Sequence, residues 1–198
     1  MTNKRAGKMI LITGGVRSGK STFAEKLAED SGKEVIYLAT ARVEDEEMRE
    51  RVSRHQNRRP PSVRTIEEAL EPHLVLEKEG TEKRLILIDC LTLLLANRFL
   101  ADIDSHGAVR EGEDIYAEEK VLEEASERTL DYIKRFTEAA AESPADIVIV
   151  TNEVGMGVVP NYPVGRVFRD LSGRANQVIA AEADQVWMVL CGIPQRFK

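Results

Sequence analysis

The chain has 198 residues, a net charge of −6 and a sequence pI of about 5.3, with 42% hydrophobic and 31% charged residues. This length and mixture are typical of a globular protein whose core is large enough to fold as one domain. The acidic balance argues against nucleic acid as a general partner, because duplex-binding proteins usually carry a basic surplus. No apolar run has the length of a membrane span or a signal peptide, so we expect a cytoplasmic protein.

A glycine-rich loop follows the first predicted strand, Met9–Thr13. Residues 14–21 read Gly-Gly-Val-Arg-Ser-Gly-Lys-Ser, which is a full match to the pattern G-x-x-x-x-G-K-[ST]. A helix is predicted from Ser21 to Asp30, so the motif has the strand, loop and helix context that it requires. The sequence therefore predicts a P-loop that binds a nucleoside triphosphate.

Each part of this loop has a chemical task. Backbone N–H groups of a glycine-rich turn close around phosphate oxygens, and the helix N-terminus and Lys20 add positive charge. Ser21 is placed to hold Mg²⁺. The predicted phosphate-binding residues are Gly14, Gly15, Val16, Arg17, Ser18, Gly19, Lys20 and Ser21.

Strands and helices alternate along the rest of the chain, which predicts an α/β fold with a mostly parallel sheet and helices on both faces. A polar segment, residues 101–113, is the best candidate for a mobile loop. Further strands are expected at Glu34–Thr40, Arg84–Asp89, Asp146–Thr151 and Gln185–Cys191, the last stopped by Pro194. Helices are expected at 44–55, at Thr65–Glu79 with an interruption near Pro72, at Leu91–Leu100, at Ile115–Glu142 and at Arg166–Ala183.

Polar residues follow several of these strands, at the edge where α/β sheets bind ligands. Asp89 ends a strongly apolar strand, as the Mg²⁺-binding carboxylate of a P-loop protein does. The alternative is an acid that only caps the next helix. Glu153, in the loop Asn152–Gly165, could be a base, a substrate acceptor or a turn residue, and spacing does not decide between them.

An arginine-rich segment, residues 49–64, is unusual in an acidic chain and has His55 at its centre. Arg51 and Arg54 can pair with acids one helical turn away, but Arg58 and Arg59 lie beside two prolines and could bind phosphate. His55 is either a structural helix residue or a nucleophile toward phosphorus. Arg166, Arg169 and Arg174 form either a solvated helix face or further phosphate contacts. The two cysteines, Cys90 and Cys191, are interpreted as buried free thiols.

Several segments together resemble one family, the bifunctional adenosylcobinamide kinase / adenosylcobinamide-phosphate guanylyltransferase of cobalamin biosynthesis. The resemblance covers nearly all of the chain from Met9 to Ile193, and its most specific parts are the Thr-Asn-Glu-Val-Gly-Met-Gly block and the Arg/His segment. The segments are Thr13–Ser21, Tyr37–Thr40, Asp45–Met48, Arg51–His55, Arg59–Pro60, Leu87–Thr92, Thr151–Pro160 and Phe168–Gln177. Family members commonly begin later, so residues 1–8 are expected to be an extension and residues 9–198 a single domain.

The resemblance implies two reactions and the residues that serve them. A γ-phosphate of ATP or GTP moves to adenosylcobinamide, and GMP from GTP then passes through a histidine to adenosylcobinamide phosphate. That histidine matches His55, and Lys20 serves as the other catalytic residue. The resemblance also implies a RecA-like sheet and a homotrimer, while the motifs themselves predict Mg²⁺ held by Ser21 and Asp89. Beyond the loop, the nucleotide contacts that it implies are Ala39, Thr40, Ala41, Asn57, Arg58, Arg59, Pro60, Glu67 and Asp89.

Three other functions remain open on the residues alone. The first is a P-loop small-molecule kinase without guanylyltransferase activity, in which His55 is structural. The second is a regulatory GTPase, although the chain has no Asn-Lys-x-Asp guanine signature. The third is a RecA-like DNA motor, against which the acidic balance argues.

Overall fold

The structure is a computed structural model that describes residues 7–42, 63–111 and 114–198. Residues 49–62 of the arginine-rich segment, with His55, Asn57, Arg58, Arg59 and Pro60, lie outside the described residues, as does the helix predicted at 44–55. The fold below is that of the described part of the chain.

A seven-stranded sheet forms the centre of the described residues, in the order β3-β2-β4-β7-β1-β8-β9. All neighbouring strands in it are parallel except β8 and β9, which are antiparallel. A separate two-stranded hairpin contains β5 and β6. The strands are β1 (Met9–Thr13), β2 (Glu34–Ala39), β3 (Arg64–Glu67), β4 (Arg84–Asp89), β5 (Val109–Glu111), β6 (Asp114–Tyr116), β7 (Asp146–Val150), β8 (Gln185–Leu190) and β9 (Ile193–Arg196).

The helices connect these parallel strands and cover both faces of the sheet, unevenly. One apolar core joins the sheet to the later helices, and a second, smaller core joins its other face to α1. The described helices are α1 (Lys20–Asp30), α2 (Pro72–Glu79), α3 (Leu91–Ser105), α4 (Glu119–Glu142) and α5 (Pro163–Glu182). The α/β prediction, with a mostly parallel sheet and helices on both faces, is therefore confirmed.

The central strands β1, β4 and β7 are nearly continuous apolar runs because both faces of a parallel sheet are buried. In β4 the faces alternate: Ile86 and Ile88 belong to the larger core, and Leu85 and Leu87 to the smaller core beside α1. By the same period of two, Asp89 points to the α1 side, where the glycine-rich loop enters its helix. The register of one strand thus aims the carboxylate at the loop.

Three sequence predictions about the middle of the chain were wrong. Arg64–Glu67 is strand β3 rather than the start of a helix, and α2 begins only at Pro72, because proline fits a first helical turn but disrupts a helix interior. Helix α3 continues to Ser105, so the proposed loop starts later and contains the β5–β6 hairpin. Helix α4 accordingly begins at Glu119 instead of Ile115.

The end of the chain also differs from the prediction. Pro194 does not stop the sheet but lies in β9, an edge strand that pairs with β8. Proline is tolerated there because an edge strand has one side without ladder hydrogen bonds. Cys191 is exposed in the turn between the two strands, so the prediction that it is buried was wrong, while Cys90 is buried as expected. The other element ends shift by at most a few residues.

Among the described residues, no helix is both long enough and apolar enough to cross a membrane.

A buried carboxylate, Glu79, ties three elements together at the amino ends of the strands. It accepts hydrogen bonds from Arg64 of β3 at 3.0 and 3.1 Å and from Arg84 of β4 at 2.8 Å. The hydrogen bond from Arg64 is the main cause that lowers the pKa of Glu79, with charge attraction from Arg64 and Arg84 adding to it. Because the folded pKa is depressed, this stabilisation is present above the unfolded pKa and is lost as pH falls through the folded one.

We expect Glu79→Gln to lower the free energy of unfolding by roughly 1 to 2 kcal/mol at neutral pH, discounted for the exposure of Arg64. The difference from the unmutated protein should shrink below about pH 4, where the carboxyl becomes protonated. Urea unfolding at several pH values measures this, with Glu77→Gln on the exposed side of α2 as the control. A difference that stays constant down to about pH 3 would contradict the assignment.

Candidate functional site

The carboxyl ends of the parallel strands bring the predicted site residues to one edge of the sheet. In spatial order this edge carries Glu67 at the end of β3, Thr40 after β2, Asp89 at the end of β4, Thr151 after β7 and Gly14 after β1. Hydrogen bonds join neighbours along it: the Thr40 N–H donates to the Asp89 carbonyl at 3.2 Å. On the other side of β7, the Glu153 N–H donates to the Gly14 carbonyl at 3.0 Å.

The loop itself has the shape that its glycines permit. Gly14 has φ of 150°, and a Cβ there would lie 2.4 Å from the carbonyl oxygen of Val189. Gly19, with φ of 100°, is the residue before α1, and a Cβ there would lie 3.2 Å from Cα of Gly192. Both positions therefore require glycine, for their backbone conformation and for the close approach of β8 and its turn.

The β8–β9 turn packs against the glycine-rich loop and is hydrogen-bonded to it. The Gly192 N–H donates to the Ser18 carbonyl at 2.8 Å, and Ser18 N–H bonds within the loop to Gly15 at 3.3 Å. Sequence reasoning did not find this contact, because it took Gln185–Cys191 as the last strand and predicted no strand β9 after it. The turn therefore holds the loop in place at Ser18.

Two features of the loop fit an anionic ligand. Lys20 is 7% exposed, and its Nζ donates to the Gly15 carbonyl at 2.6 Å, so the ammonium folds back over the loop. Within the described part of the chain, the buried side-chain oxygens that lack a hydrogen-bond partner are Thr13 Oγ1 and Ser18 Oγ. Buried hydroxyls are normally paired, so these two at and beside the P-loop have donor capacity that the protein does not use.

Ser21 and Asp89 meet as the metal prediction requires. The Ser21 hydroxyl donates to Asp89 Oδ2 at 3.3 Å, although the two residues are far apart in sequence. Hydroxyl and carboxylate oxygens are the ligands that Mg²⁺ prefers, and this ion commonly takes few protein ligands beside substrate phosphates. No group of three or more His, Cys, Asp or Glu residues suited to a metal occurs in the described ranges. The pair therefore fits a nucleotide-bound Mg²⁺ rather than a protein-enclosed one.

Thr40 is fully buried, and its polar groups are engaged within the protein. Its hydroxyl donates to the Cys90 carbonyl at 2.7 Å and accepts the Cys90 N–H at 2.8 Å. Asn97 of α3 donates to the Thr40 carbonyl at 2.7 Å. These bonds hold the ends of β2 and β4 together, so the half-buried Ala41 is better placed than Thr40 to face a ligand.

A chain of hydroxyls that sequence reasoning missed positions the loop after β7. The Asn152 N–H donates to Thr92 Oγ1 at 2.7 Å, and Thr92 Oγ1 lies 3.3 Å from Thr151 Oγ1. Thr151 in turn donates to Asn176 Oδ1 of α5 at 2.9 Å. Thr92, Thr151 and Asn176 all lie in the segments that resemble the family, and this resemblance was the sequence signal that could have revealed them. Glu153 Oε1 accepts the Gly155 N–H at 2.8 Å, as a turn residue does.

Glu67 lies apart from the glycine-rich loop. Strand β3 is four positions from β1 in the sheet, which at ordinary strand spacing is roughly 19 Å. One phosphate group cannot contact both Lys20 and Glu67, so these two predicted residues would contact different parts of a ligand. The described residues that converge on one point are the loop, Ser21 and Asp89.

The remaining candidates divide clearly. Arg174 pairs with Glu127 at 2.6 Å, and Arg166 donates to the backbone of the preceding turn, so these two belong to an exposed helix face. His73 forms a hydrogen bond with the hydroxyl of Tyr132 at 3.0 Å.

Cys90 is excluded as a nucleophile by its surroundings. Burial, with the nearby charge of Asp89, raises the pKa of its thiol to about 12, so the thiol stays protonated.

A parallel α/β sheet with a braced glycine-rich loop, a buried lysine and a serine–aspartate pair defines a P-loop nucleotide-binding protein. A profile of the cobinamide kinase / cobinamide phosphate guanyltransferase family matches residues 10–197. The chain belongs to this family, which confirms the resemblance drawn from the sequence.

Curated relatives match over almost their whole length. The chain is 38% identical over 192 residues to the "Bifunctional adenosylcobalamin biosynthesis protein CobU" of Salmonella typhimurium, covering 96% of this chain and 99% of that protein. The Escherichia coli protein of the same name is 36% identical over 190 residues, with the same coverage. The "Bifunctional adenosylcobalamin biosynthesis protein CobP" of Pseudomonas aeruginosa is 38% identical over 188 residues, covering 95% of this chain and 96% of that one.

Among solved structures, an ATPase domain superposes with a TM-score of 0.47 at 12% identity, covering 93% of this chain and 70% of that one. The RadB recombinase superposes with a TM-score of 0.43 at 14% identity, covering 92% of this chain and 74% of that one.

We expect Gly14→Ala to weaken nucleotide binding by at least about tenfold, because the added Cβ collides with the Val189 carbonyl and displaces the loop. Fluorescence titration with a methylanthraniloyl derivative of GTP measures the affinity. Gly173→Ala is the matched control, since its Cβ meets nothing within 4 Å on helix α5. Ordinary nucleotide affinity in Gly14→Ala would contradict the site.

Proposed function

We propose that this protein carries out both reactions of its family at the carboxyl edge of the sheet. It phosphorylates adenosylcobinamide with ATP or GTP and then transfers GMP from GTP to adenosylcobinamide phosphate, giving adenosylcobinamide-GDP and pyrophosphate. The observation that carries the proposal is the convergence of the P-loop, Lys20, Ser21 and Asp89 in a chain that matches bifunctional relatives along almost its whole length.

In the kinase step, the chain's residues hold the triphosphate and neutralise its charge. Backbone N–H groups of residues 14–21 and the Lys20 ammonium bind the phosphate oxygens, and the unpaired Ser18 hydroxyl adds a donor. Ser21 and Asp89 would hold Mg²⁺, which screens the phosphate charge when it is bound. The acceptor hydroxyl attacks the γ-phosphorus and gives up its proton to solvent, and the bond from the γ-phosphorus to the bridging oxygen breaks so that the nucleoside diphosphate leaves.

In the guanylyl transfer, His55 is the proposed nucleophile. Its imidazole nitrogen attacks the α-phosphorus of GTP and pyrophosphate leaves from the P-loop. A phosphate oxygen of the corrinoid then attacks the same phosphorus and the phosphorus–nitrogen bond breaks. The chain passes from the described residues into the segment with His55 at Arg42, just after β2, on the same edge as the P-loop.

The other proposed nucleotide contacts lie on both sides of His55 in the sequence. They are Ala39, Thr40, Ala41, Asn57, Arg58, Arg59, Pro60 and Glu67, with arginine forks suited to the charge that develops on phosphorus. Because Glu67 lies roughly 19 Å from the loop strand, we place it with the nucleoside or the corrinoid rather than with the P-loop phosphates.

The setting of the enzyme is part of the proposal. We infer a cytoplasmic homotrimer with residues 9–198 as one domain and residues 1–8 as an extension. Its small-molecule partners are adenosylcobinamide and adenosylcobinamide phosphate, and nucleic acid is no partner, which the net charge of −6 supports.

The decisive prediction uses GTP labelled with ³²P at the α-phosphorus. We expect the protein to become labelled, and the label to be labile to acid and to hydroxylamine, as a phosphorus–nitrogen bond is. His55→Ala should lose the label completely while it keeps kinase activity, because only the second reaction uses the imidazole.

The chain supplies its own controls, since it has three histidines. His73→Ala and His106→Ala should label normally, because His73 bonds to Tyr132 and His106 to residues of its own helix end. A protein that transfers the γ-phosphate but never takes the α-label would instead be a P-loop small-molecule kinase. If His55→Ala still becomes labelled, a residue other than His55 is the nucleophile.

A further inference from the structure

The buried hydroxyl of Tyr37 contacts the carboxylate assigned to the metal. Tyr37 lies in β2, is 4% exposed, and donates from its hydroxyl to Asp89 Oδ2 at 2.5 Å. A hydroxyl that donates to a carboxylate at this distance makes a short, charge-assisted hydrogen bond. The contact joins two neighbouring strands at the point where the site begins.

The sheet register explains how this contact arises. In the β2–β4 pair, Tyr37 is opposite Leu87 and Ala39 is opposite Asp89, so the ring reaches forward by two residues along the sheet. Tyr37 and Leu87 both belong to the smaller core on the α1 side of the sheet. Asp89 continues the Leu85 and Leu87 face of β4, so its carboxylate meets the hydroxyl above that core.

Two donors therefore act on the same carboxylate oxygen. The Tyr37 hydroxyl and the Ser21 hydroxyl both donate to Oδ2, at 2.5 and 3.3 Å. For the described residues, these are the side-chain hydrogen bonds found for Asp89, and neither uses Oδ1. A carboxylate fixed through one oxygen presents the other in a constant direction, and partners of this kind set metal affinity.

We propose that Tyr37 is a positioning residue that acts through Asp89 on the binding of Mg²⁺ with the nucleotide. The inference rests on the metal site of the proposed function. Tyr37 itself touches neither nucleotide nor metal. Its hydroxyl holds the Asp89 carboxylate in the orientation that suits the ion. The Ser21 hydroxyl donates a hydrogen bond to the same carboxylate oxygen and keeps its lone pairs for the ion.

The test separates metal binding from nucleotide binding. The affinity for the fluorescent GTP derivative is measured in excess EDTA and across a Mg²⁺ titration, and the ratio of the two affinities reports the metal. We expect Tyr37→Phe to reduce this ratio by about tenfold and to leave the affinity in EDTA unchanged. At saturating Mg²⁺ the kcat should return close to that of the unmutated protein.

Tyr132→Phe is the matched control, because it removes another buried tyrosine hydroxyl that is hydrogen-bonded away from the site, to His73. It should leave both affinities unchanged. Repeating Tyr37→Phe in an Asp89→Asn background tests the route, since an effect exerted through the carboxylate should largely disappear there. An effect that persists in that background overturns the inference.

The remaining outcomes are equally distinct. An unchanged affinity ratio in Tyr37→Phe overturns this inference but leaves the proposed function standing. Nucleotide affinity that is weakened equally with and without Mg²⁺ also overturns it, because Tyr37 then has only a structural role. A nucleotide affinity that ignores Mg²⁺ in the unmutated protein contradicts the metal site itself.

A second measurement follows the metal in the protein with its tyrosines in place. With four tyrosines in the chain, 3-fluorotyrosine labelling gives a small set of ¹⁹F signals. The Tyr37 signal should move when Mg²⁺ joins the GTP complex, while that of Tyr132 stays in place. A Tyr37 signal that ignores the metal contradicts the proposal.

Discussion

The functional edge depends on one constraint: parallel strands deliver their carboxyl ends to the same side of a sheet. Four consecutive strands place Thr40, Asp89, Thr151 and Gly14 beside one another, and backbone and hydroxyl hydrogen bonds connect them. Loops after such strands would otherwise expose unpaired backbone groups, so each bond both satisfies a polar atom and fixes a position. The glycine-rich loop is then set by its neighbours as much as by its own sequence.

On this frame, the hydrogen bonds described above give the lysine and the carboxylate of the described site different partners. Lys20 folds over the loop onto the Gly15 carbonyl, while Asp89 takes hydroxyl donors from Ser21 and Tyr37. A triphosphate with its metal complements both sides at once, since anionic oxygens suit the lysine and the ion suits the carboxylate. The Ser18 hydroxyl is buried and has no hydrogen-bond partner within the protein, which fits a loop that is completed by a bound ligand.

The sequence predicted the parts of the fold that depend on strong local patterns. The P-loop, the apolar strands β1, β4 and β7, and the Ser21–Asp89 pair could be read from motif and periodicity. Strand β3 could not, because the short, half-exposed Arg-Thr-Ile-Glu run owes its state to pairing with β2. Strand β9, despite Pro194, and the role of Tyr37 depend on tertiary neighbours that no local pattern encodes.

The central claim is that one triphosphate cradle serves both transfers. The most direct test measures γ-phosphate transfer and α-label incorporation in the same preparation of Lys20→Ala, with Lys26→Ala on the exposed side of α1 as the control. The account predicts that both activities fall by at least about a hundredfold in Lys20→Ala, since its ammonium serves the phosphates in either reaction. Loss of one activity with the other intact would mean two separate nucleotide sites and would contradict it.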